Sequence, residues 1–214
     1  MNLVILGPQG SGKGTQAELL SERLGLYRFE MGSFLRDLAK TDPLVDKIMN
    51  KEGKLVPDDM FLFAMKALLE GKIKEGKSFI LDGFPRTIRQ YETLKNWLVE
   101  LSIKIDKVIF LNISQSETIR RLSNRRVCKS CGKIWNLSTA SIPPTPQKCE
   151  CSGELFQRVD DQPKQIKRRL EEYRRNTEPL LKVLKKDGLL IEINGEGPIA
   201  EIHQKIYEKI LPKN

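Results

Sequence analysis

Gly7-Pro8-Gln9-Gly10-Ser11-Gly12-Lys13-Gly14-Thr15 is the stretch on which the fold turns. It fits the strand–GxxxxGK–helix phosphate loop, with Gly14 standing where Ser or Thr usually follows the lysine. Glycines let backbone N–H groups converge on phosphate oxygens. Gly10, Ser11, Gly12, Gly14 and Thr15 are the candidates to do so. A following helix adds its positive N-terminal end, and Lys13 supplies a mobile cation. The context agrees. Residues 2–6 are a short apolar run that reads as a buried strand. Beyond the loop, Ala17, Leu20 and Leu24 recur at helical spacing. Strand, glycine loop, helix is the opening of a βα unit.

Further along, residues 33–39 and 44–49 read as short helices broken near Asp42-Pro43, and residues 58–69 as another helix behind Pro57. A short strand at 79–81 ends at Asp82-Gly83. An amphipathic helix follows at 87–101 and a central strand at 107–113. Ser114 or Ser116 caps a helix running toward Arg126. Residues 162–186 read as one long basic helix, 189–193 as a last strand and 198–211 as a closing helix. Alternating strands and helices imply a mostly parallel sheet covered on both faces. Between Val127 and Val159 the periodicity stops, and Cys, Gly, Pro, Ser and Thr take over. A stretch that long is no plain loop; it reads as an inserted module.

The chain has 214 residues, enough for one compact α/β domain with insertions. It carries 37 Lys and Arg against 28 Asp and Glu, a net charge of +9, which favours anionic partners: phosphorylated small molecules or nucleic acid. No apolar run approaches the ~20 residues of a membrane span. Residues 1–6 lack the basic start and long apolar stretch of a secretory leader, so the expectation is a cytoplasmic protein with no membrane partner. All four cysteines fall between Cys128 and Cys151, a clustering that argues for metal before disulfide. Cys128-Lys-Ser-Cys131-Gly is a zinc-knuckle half, and Cys149-Glu-Cys151 is the candidate second half with one intervening residue. A structural zinc held by all four thiolates would replace a core that so small a module cannot bury. The alternatives are a strained three-ligand site or free thiols. Asp82, at the end of its strand, suits a carboxylate that holds the waters of Mg²⁺; a turn-forming Asp before Gly83 is the plainer reading.

Several segments together resemble one family. Gly7 to Gln16, Asp82-Gly83-Phe84-Pro85-Arg86-Thr87, Asn124-Arg125-Arg126-Val127 and Arg158-Val159-Asp160-Asp161-Gln162 are similar to the adenylate kinases of the bacterial type that carry a long four-cysteine lid, and the similarity spans nearly the whole chain. The resemblance implies an α/β P-loop kinase core with a five-stranded parallel sheet flanked by helices, made of residues 1–29, 57–126 and 161–214. It implies a monophosphate-binding clamp at 30–56 and a zinc-binding lid at 127–160. It also implies a monomer using ATP with Mg²⁺, and AMP. On the ATP side it sets the loop from Gly10 to Thr15, Arg121, Arg125, Ile134, Trp135 and Gly197. On the AMP side it sets Met31, Arg36, Lys54, Leu55, Val56, Gly83, Phe84, Pro85, Arg86, Gln90, Arg158 and Arg169. Lys13, Asp82, Arg86, Arg125, Arg158 and Arg169 would be the catalytic set. Planar guanidiniums suit phosphate oxygens and stay charged. Phosphoryl transfer asks for positioning and charge neutralisation more than a strong base, and the chain has a single histidine, His203, which reads as structural or surface.

One departure bears on the acceptor. Glu30-Met31-Gly32-Ser33 stands where the family commonly has Ser-Thr-Gly-Asp, so Met31 removes a hydroxyl and adds flexible bulk beside the base. Gln90, whose two-way amide suits an adenine edge, argues for AMP. A pyrimidine or broad-range nucleoside monophosphate kinase is therefore the nearest rival. A zinc-ribbon nucleic-acid-binding ATPase is the distant one. A nucleic-acid groove interleaves aromatic with basic residues; Trp135 and Phe156 alone supply little of that, and the expectation is no nucleic-acid partner.

Overall fold

The computed structural model describes residues 1–48, 58–138, 145 and 147–211. Its strands and helices run β1 (Leu3–Leu6), α1 (Lys13–Leu24), β2 (Tyr27–Glu30), α2 (Met31–Leu38), α3 (Pro43–Asp46), α4 (Asp58–Lys74), β3 (Phe79–Asp82), α5 (Ile88–Glu100), β4 (Lys107–Asn112), α6 (Gln115–Ser123), β5 (Arg125–Cys128), β6 (Ile134–Asn136), β7 (Leu155–Phe156), α7 (Pro163–Glu172), α8 (Glu178–Lys186), β8 (Leu190–Asn194) and α9 (Ile199–Ile210).

The main sheet is parallel, five-stranded, in the order β2-β3-β1-β4-β8. After β1 the chain turns to one side for β2 and β3, and later to the other for β4 and β8. Ligands of such sheets bind beyond the carboxyl ends of the strands where this direction reverses, and the phosphate loop leaves β1 at that end. Parallel strands buried on both faces read as continuous apolar runs; β1 and β3 are buried throughout. Val4, Leu6, Phe79, Leu81 and Phe110 face α5 and α8 through Tyr91, Leu94, Trp97, Leu98, Leu180 and Leu184. Leu3, Ile5, Ile80, Ile109 and Leu111 face α1 and α9 through Ala17, Leu20, Ile202, Ile206 and Ile210. His203 lies on α9, its ring stacked on Tyr207, in keeping with a structural reading.

A second sheet, antiparallel in the order β6-β5-β7, lies within the cysteine-bearing insert. Two helical expectations are corrected, and one strand is added. The helix expected to run toward Arg126 stops at Ser123, and Arg125 and Arg126 begin β5. The long basic helix at 162–186 is interrupted by a π-helical turn, Tyr173–Thr177, ahead of Pro179, whose ring cannot donate the next backbone bond. β2 lay hidden in the sequence because Arg28 and Glu30 alternate with Phe29 along four residues.

Candidate active site

The phosphate loop is held by short backbone constraints. Gly12, at φ 90°, caps α1 in the left-handed region that glycine adopts without strain. At Gly7 a Cβ would lie 2.5 Å from the Leu111 carbonyl oxygen and 2.7 Å from Ser11 Oγ, so only glycine fits. Lys13 Nζ donates to the carbonyls of Gly7 and Pro8, both at 2.8 Å. Although its stem is partly exposed, the ammonium is enclosed, and burial pulls its pKa down to about 7 against the counter-pull of Asp82. Arg121 ties the loop to the rest of the site: Nη1 donates to Gly10 O at 3.3 Å, Nη2 to Gly195 O at 3.0 Å, and Nε to Glu117 Oε1 at 2.6 Å. Hydrogen bonds from Arg120, and then from Arg121, hold the Glu117 carboxyl at about 2. Gly197 sits two residues beyond Gly195 at φ 147°.

Asp82 closes β3, is buried, and pairs with Arg28 at 3.2 Å. Its pKa is raised, chiefly by burial, with Lys13 acting in the other direction. Gly83-Phe84-Pro85 carries the chain from Asp82 to Arg86, with the Phe84–Pro85 bond cis. Arg86 Nε donates to Gly83 O at 2.7 Å, and the Arg86 backbone N–H donates to Gln90 Oε1 at 2.7 Å. That contact sets the sense of the buried Gln90 amide. Arg86 is lowered to about 10, first by burial and then by the Arg169 guanidinium. Arg158 is lowered to about 10 by burial, Arg125 and Arg36.

Arg125 grips Asp161 with both edges of its fork, Nε to Oδ2 at 2.7 Å and Nη2 to Oδ1 at 2.6 Å. Arg169 Nη1 meets Asp160 Oδ2 at 2.9 Å and Asp161 Oδ1 at 3.3 Å. The Asp161 side chain is fully buried between the two guanidiniums. Asp160 and Asp161 belonged to the quoted Arg158–Gln162 motif, yet the sequence reading gave them no task. Four mutually repelling arginines in one cleft were the signal that carboxylates had to be near.

Lys13, Asp82, Arg36, Arg86, Arg125, Arg158 and Arg169 are thus brought together: Arg36 and Arg125 lie close enough to help lower the pKa values of Arg158 and Arg169, and Asp82 acts on both Lys13 and Arg86. The Met31 side chain is 1% exposed and packs in the core with Phe29 and Leu35. Lys54, Leu55 and Val56 lie outside the described residues. Trp135 is turned into the insert's small core, its Nε1 donating to Cys149 Sγ at 3.3 Å, whereas Ile134 is exposed.

The four cysteine sulfurs lie within 4.8 Å of one another, and none forms a disulfide. Cys128 and Cys151 are 3.5 Å apart, Cys131 and Cys149 3.6 Å. Tetrahedral zinc with bonds of about 2.3 Å spaces its sulfurs at about 3.8 Å, so the cluster fits that ion despite the shortened second half. Backbone N–H groups of Cys131 and Ser130 aim at Cys128 and hold its thiol at about 6. Gly153 is required by the turn: a Cβ there would meet Ser130 Oγ at 2.5 Å and Cys128 Sγ at 2.6 Å. Among the described residues no helix is long and apolar enough to cross a membrane.

Comparison with known proteins adds a family. The family model described as adenylate kinase matches residues 5–189. An adenylate kinase of Archaeoglobus fulgidus is 41% identical over all of this chain and 99% of its own length. One of Pyrococcus horikoshii is 38% identical over 96% of this chain and 94% of its own. One of Methanocella arvoryzae is 43% identical over 94% of each.

Proposed function

Given that the chain belongs to the adenylate kinase family and is a phosphotransferase of the nucleoside monophosphate kinase class, we propose that it catalyses reversible, Mg²⁺-dependent phosphoryl transfer from ATP to AMP, giving two ADP. The observation that carries this reading is the convergence of Lys13 with Arg36, Arg86, Arg125, Arg158 and Arg169 beyond the carboxyl ends of the strands. A cleft so rich in guanidiniums suits two polyphosphate tails placed end to end. Its chemistry is charge neutralisation, which is what phosphoryl transfer requires.

In this reading the backbone from Gly10 to Thr15 and Lys13 hold the donor phosphates, with Arg121 and Arg125 beside them. Arg36 and Arg86 hold the acceptor phosphate, Gln90 meets its base, and Arg158 and Arg169 bridge the two. Asp82 is the carboxylate suited to the waters of Mg²⁺, which when bound would neutralise charge on the donor phosphates. Residues 127–160 act as a lid whose closure excludes water and limits ATP hydrolysis. The four cysteines hold a structural zinc in it, and residues 30–56 form the acceptor clamp. The protein works as a cytoplasmic monomer.

The test is an acceptor panel of AMP, GMP, CMP and UMP with ATP and Mg²⁺, following ADP. A clear preference for AMP is expected. A preference for CMP would overturn the assignment in favour of a pyrimidine kinase, to which the burial of Met31 lends a reason: no hydroxyl stands at that position to read the base. Stimulation of ATP consumption by RNA or DNA, but not by AMP, would overturn it in favour of a nucleic-acid-dependent ATPase.

A further inference from the structure

Glu30 and Asp82 face each other across β2 and β3 in the parallel register. Two carboxylates opposite one another repel, and Arg28, two residues earlier on the same face of β2, answers both. Its Nη2 donates to Glu30 Oε2 at 3.0 Å and to Asp82 Oδ2 at 3.2 Å. The second oxygen of Glu30 accepts from Arg36 Nη2 at 3.0 Å. The result is a continuous chain, Asp82–Arg28–Glu30–Arg36, from the strand end beside Lys13 to the guanidinium on α2. Glu30 occupies the N-cap position of α2, yet its side chain accepts no capping hydrogen bond. A carboxylate there ordinarily favours the helix end; this one is given to two arginines instead.

We infer that Glu30 is a positioning residue for the acceptor phosphate: it anchors the Arg36 guanidinium to the rigid edge of the sheet, through Arg28 and Asp82, so that its remaining N–H edge is set for the phosphate. The inference rests on the reading of Arg36 as an acceptor-phosphate ligand. Arg36 projects from an eight-residue helix, and an untethered arginine loses rotamer freedom on binding that a tethered one has already lost. Glu30 itself touches no substrate. Arg28 serves as the shared counter-ion; its Nη2 hydrogen-bonds both carboxylates, its Nη1 pairs more loosely with Glu18 at 3.8 Å, and its buried Nε has no acceptor among the described residues.

The test is a double-mutant cycle on Glu30→Gln and Arg36→Ala, with AMP binding measured without donor and initial rates measured with ATP and Mg²⁺. Glu30→Gln keeps the shape and loses the charge. It is expected to raise the dissociation constant and KM for AMP about tenfold, the scale of a charge-assisted hydrogen bond, while kcat and the KM for ATP stay within about twofold. In the Arg36→Ala background the same change should add nothing, because the residue it acts through is gone. Unchanged or tighter AMP binding in Glu30→Gln would overturn the inference, showing that the carboxylate merely competes with phosphate for Arg36. Additive effects of the two changes would overturn it as well. If Arg36→Ala alone left AMP affinity intact, the assignment of Arg36 itself would fail, and this inference with it. That outcome is separate from a null result in Glu30→Gln alone.

Discussion

Donor binding should take up a proton, and Lys13 is the reason. Its enclosed ammonium, within electrostatic reach of Arg86, Arg169 and Arg125, has a pKa of about 7 instead of 10.5. Polyphosphate supplies the counter-charge that the empty site lacks and returns the group to its charged form. The difference is roughly 5 kcal/mol at about 1.4 kcal/mol per unit. At pH 8 the empty protein carries Lys13 about one-tenth protonated, so binding takes up about 0.9 proton, and donor affinity falls about tenfold per pH unit above 7. Calorimetry of a non-hydrolysable ATP analogue with Mg²⁺, at pH 8 in two buffers of unlike ionisation enthalpy, reads this directly. Heats that coincide in the two buffers, or an affinity flat between pH 7.5 and 9, would refute the reasoning. The sign for stability follows the same way. Between pH 7 and 10.5 the unfolded chain holds the extra proton, so the contribution of Lys13 to stability rises with pH. Lys13→Met should therefore abolish turnover, eliminate the proton uptake, and raise the melting temperature of the empty protein at pH 7, because it removes a buried charge.

The remaining expectations concern the scaffold. Asp161→Ala leaves Arg125 and Arg169 without their shared buried carboxylate. It should cost about 3–5 kcal/mol in urea unfolding; a loss below about 1 kcal/mol would show that the arginines re-pair. Metal analysis of fresh protein should give about one zinc per chain, with chelation lowering the melting temperature. Gly153→Ala should weaken zinc retention through its clash with Cys128 and Ser130, and freshly purified protein without metal would sink the four-thiolate site. Glu117 has a folded pKa of about 2 against an ordinary 4.5. Its contribution is present above 4.5 and is lost as the pH falls toward 2, so Glu117→Gln should lower the melting temperature at pH 6 but not at pH 2.

The parts of the fold that were legible carry periodic burial or steric necessity. β1, β3 and β4 read from the sequence because both faces are apolar, and the phosphate loop because its backbone admits only glycine at Gly7 and Gly12. What the sequence hid has a common cause: polar residues placed by tertiary partners. β2 is an edge strand whose Arg28 and Glu30 are satisfied by Asp82 and Arg36, distant or helical neighbours that no local pattern reveals. β5 begins with two arginines whose periodicity continues that of α6, and only pairing with β6 and β7 makes them strand. The resemblance sets Trp135 on the ATP side, whereas its side chain is buried in the insert and its indole N–H donates to Cys149 Sγ. Asp160 and Asp161 carry no role in the sequence, because the need for them arises only when Arg125 and Arg169 meet.

That last need explains the electrostatic design of the empty cleft. Guanidiniums this close cannot face one another in a partly desolvated space without counter-charge. Enclosed protein carboxylates supply it to two of them: Asp161 to Arg125, and Asp160 and Asp161 to Arg169. Arg86 and Lys13 instead rest on carbonyls; burial depresses both, as it does Arg169 in spite of its carboxylates. The two kinds of site should respond differently to phosphate. Where an enclosed carboxylate already grips the guanidinium, as at Arg125 and Arg169, the ligand adds to or exchanges with an existing pair and gains little from charge alone. Where only carbonyls touch the cation and Asp82 acts from further off, phosphate meets a less fully compensated cation, and the gain is larger. Lys13 and Arg86 are therefore expected to supply more of the electrostatic affinity than Arg125 and Arg169, which supply mainly its geometry. In alanine scans, Lys13 and Arg86 should weaken binding steeply at low salt and less at high salt, whereas Arg125 and Arg169 should affect kcat more than affinity. The reverse order would mean that the carboxylates leave their arginines before the nucleotides arrive.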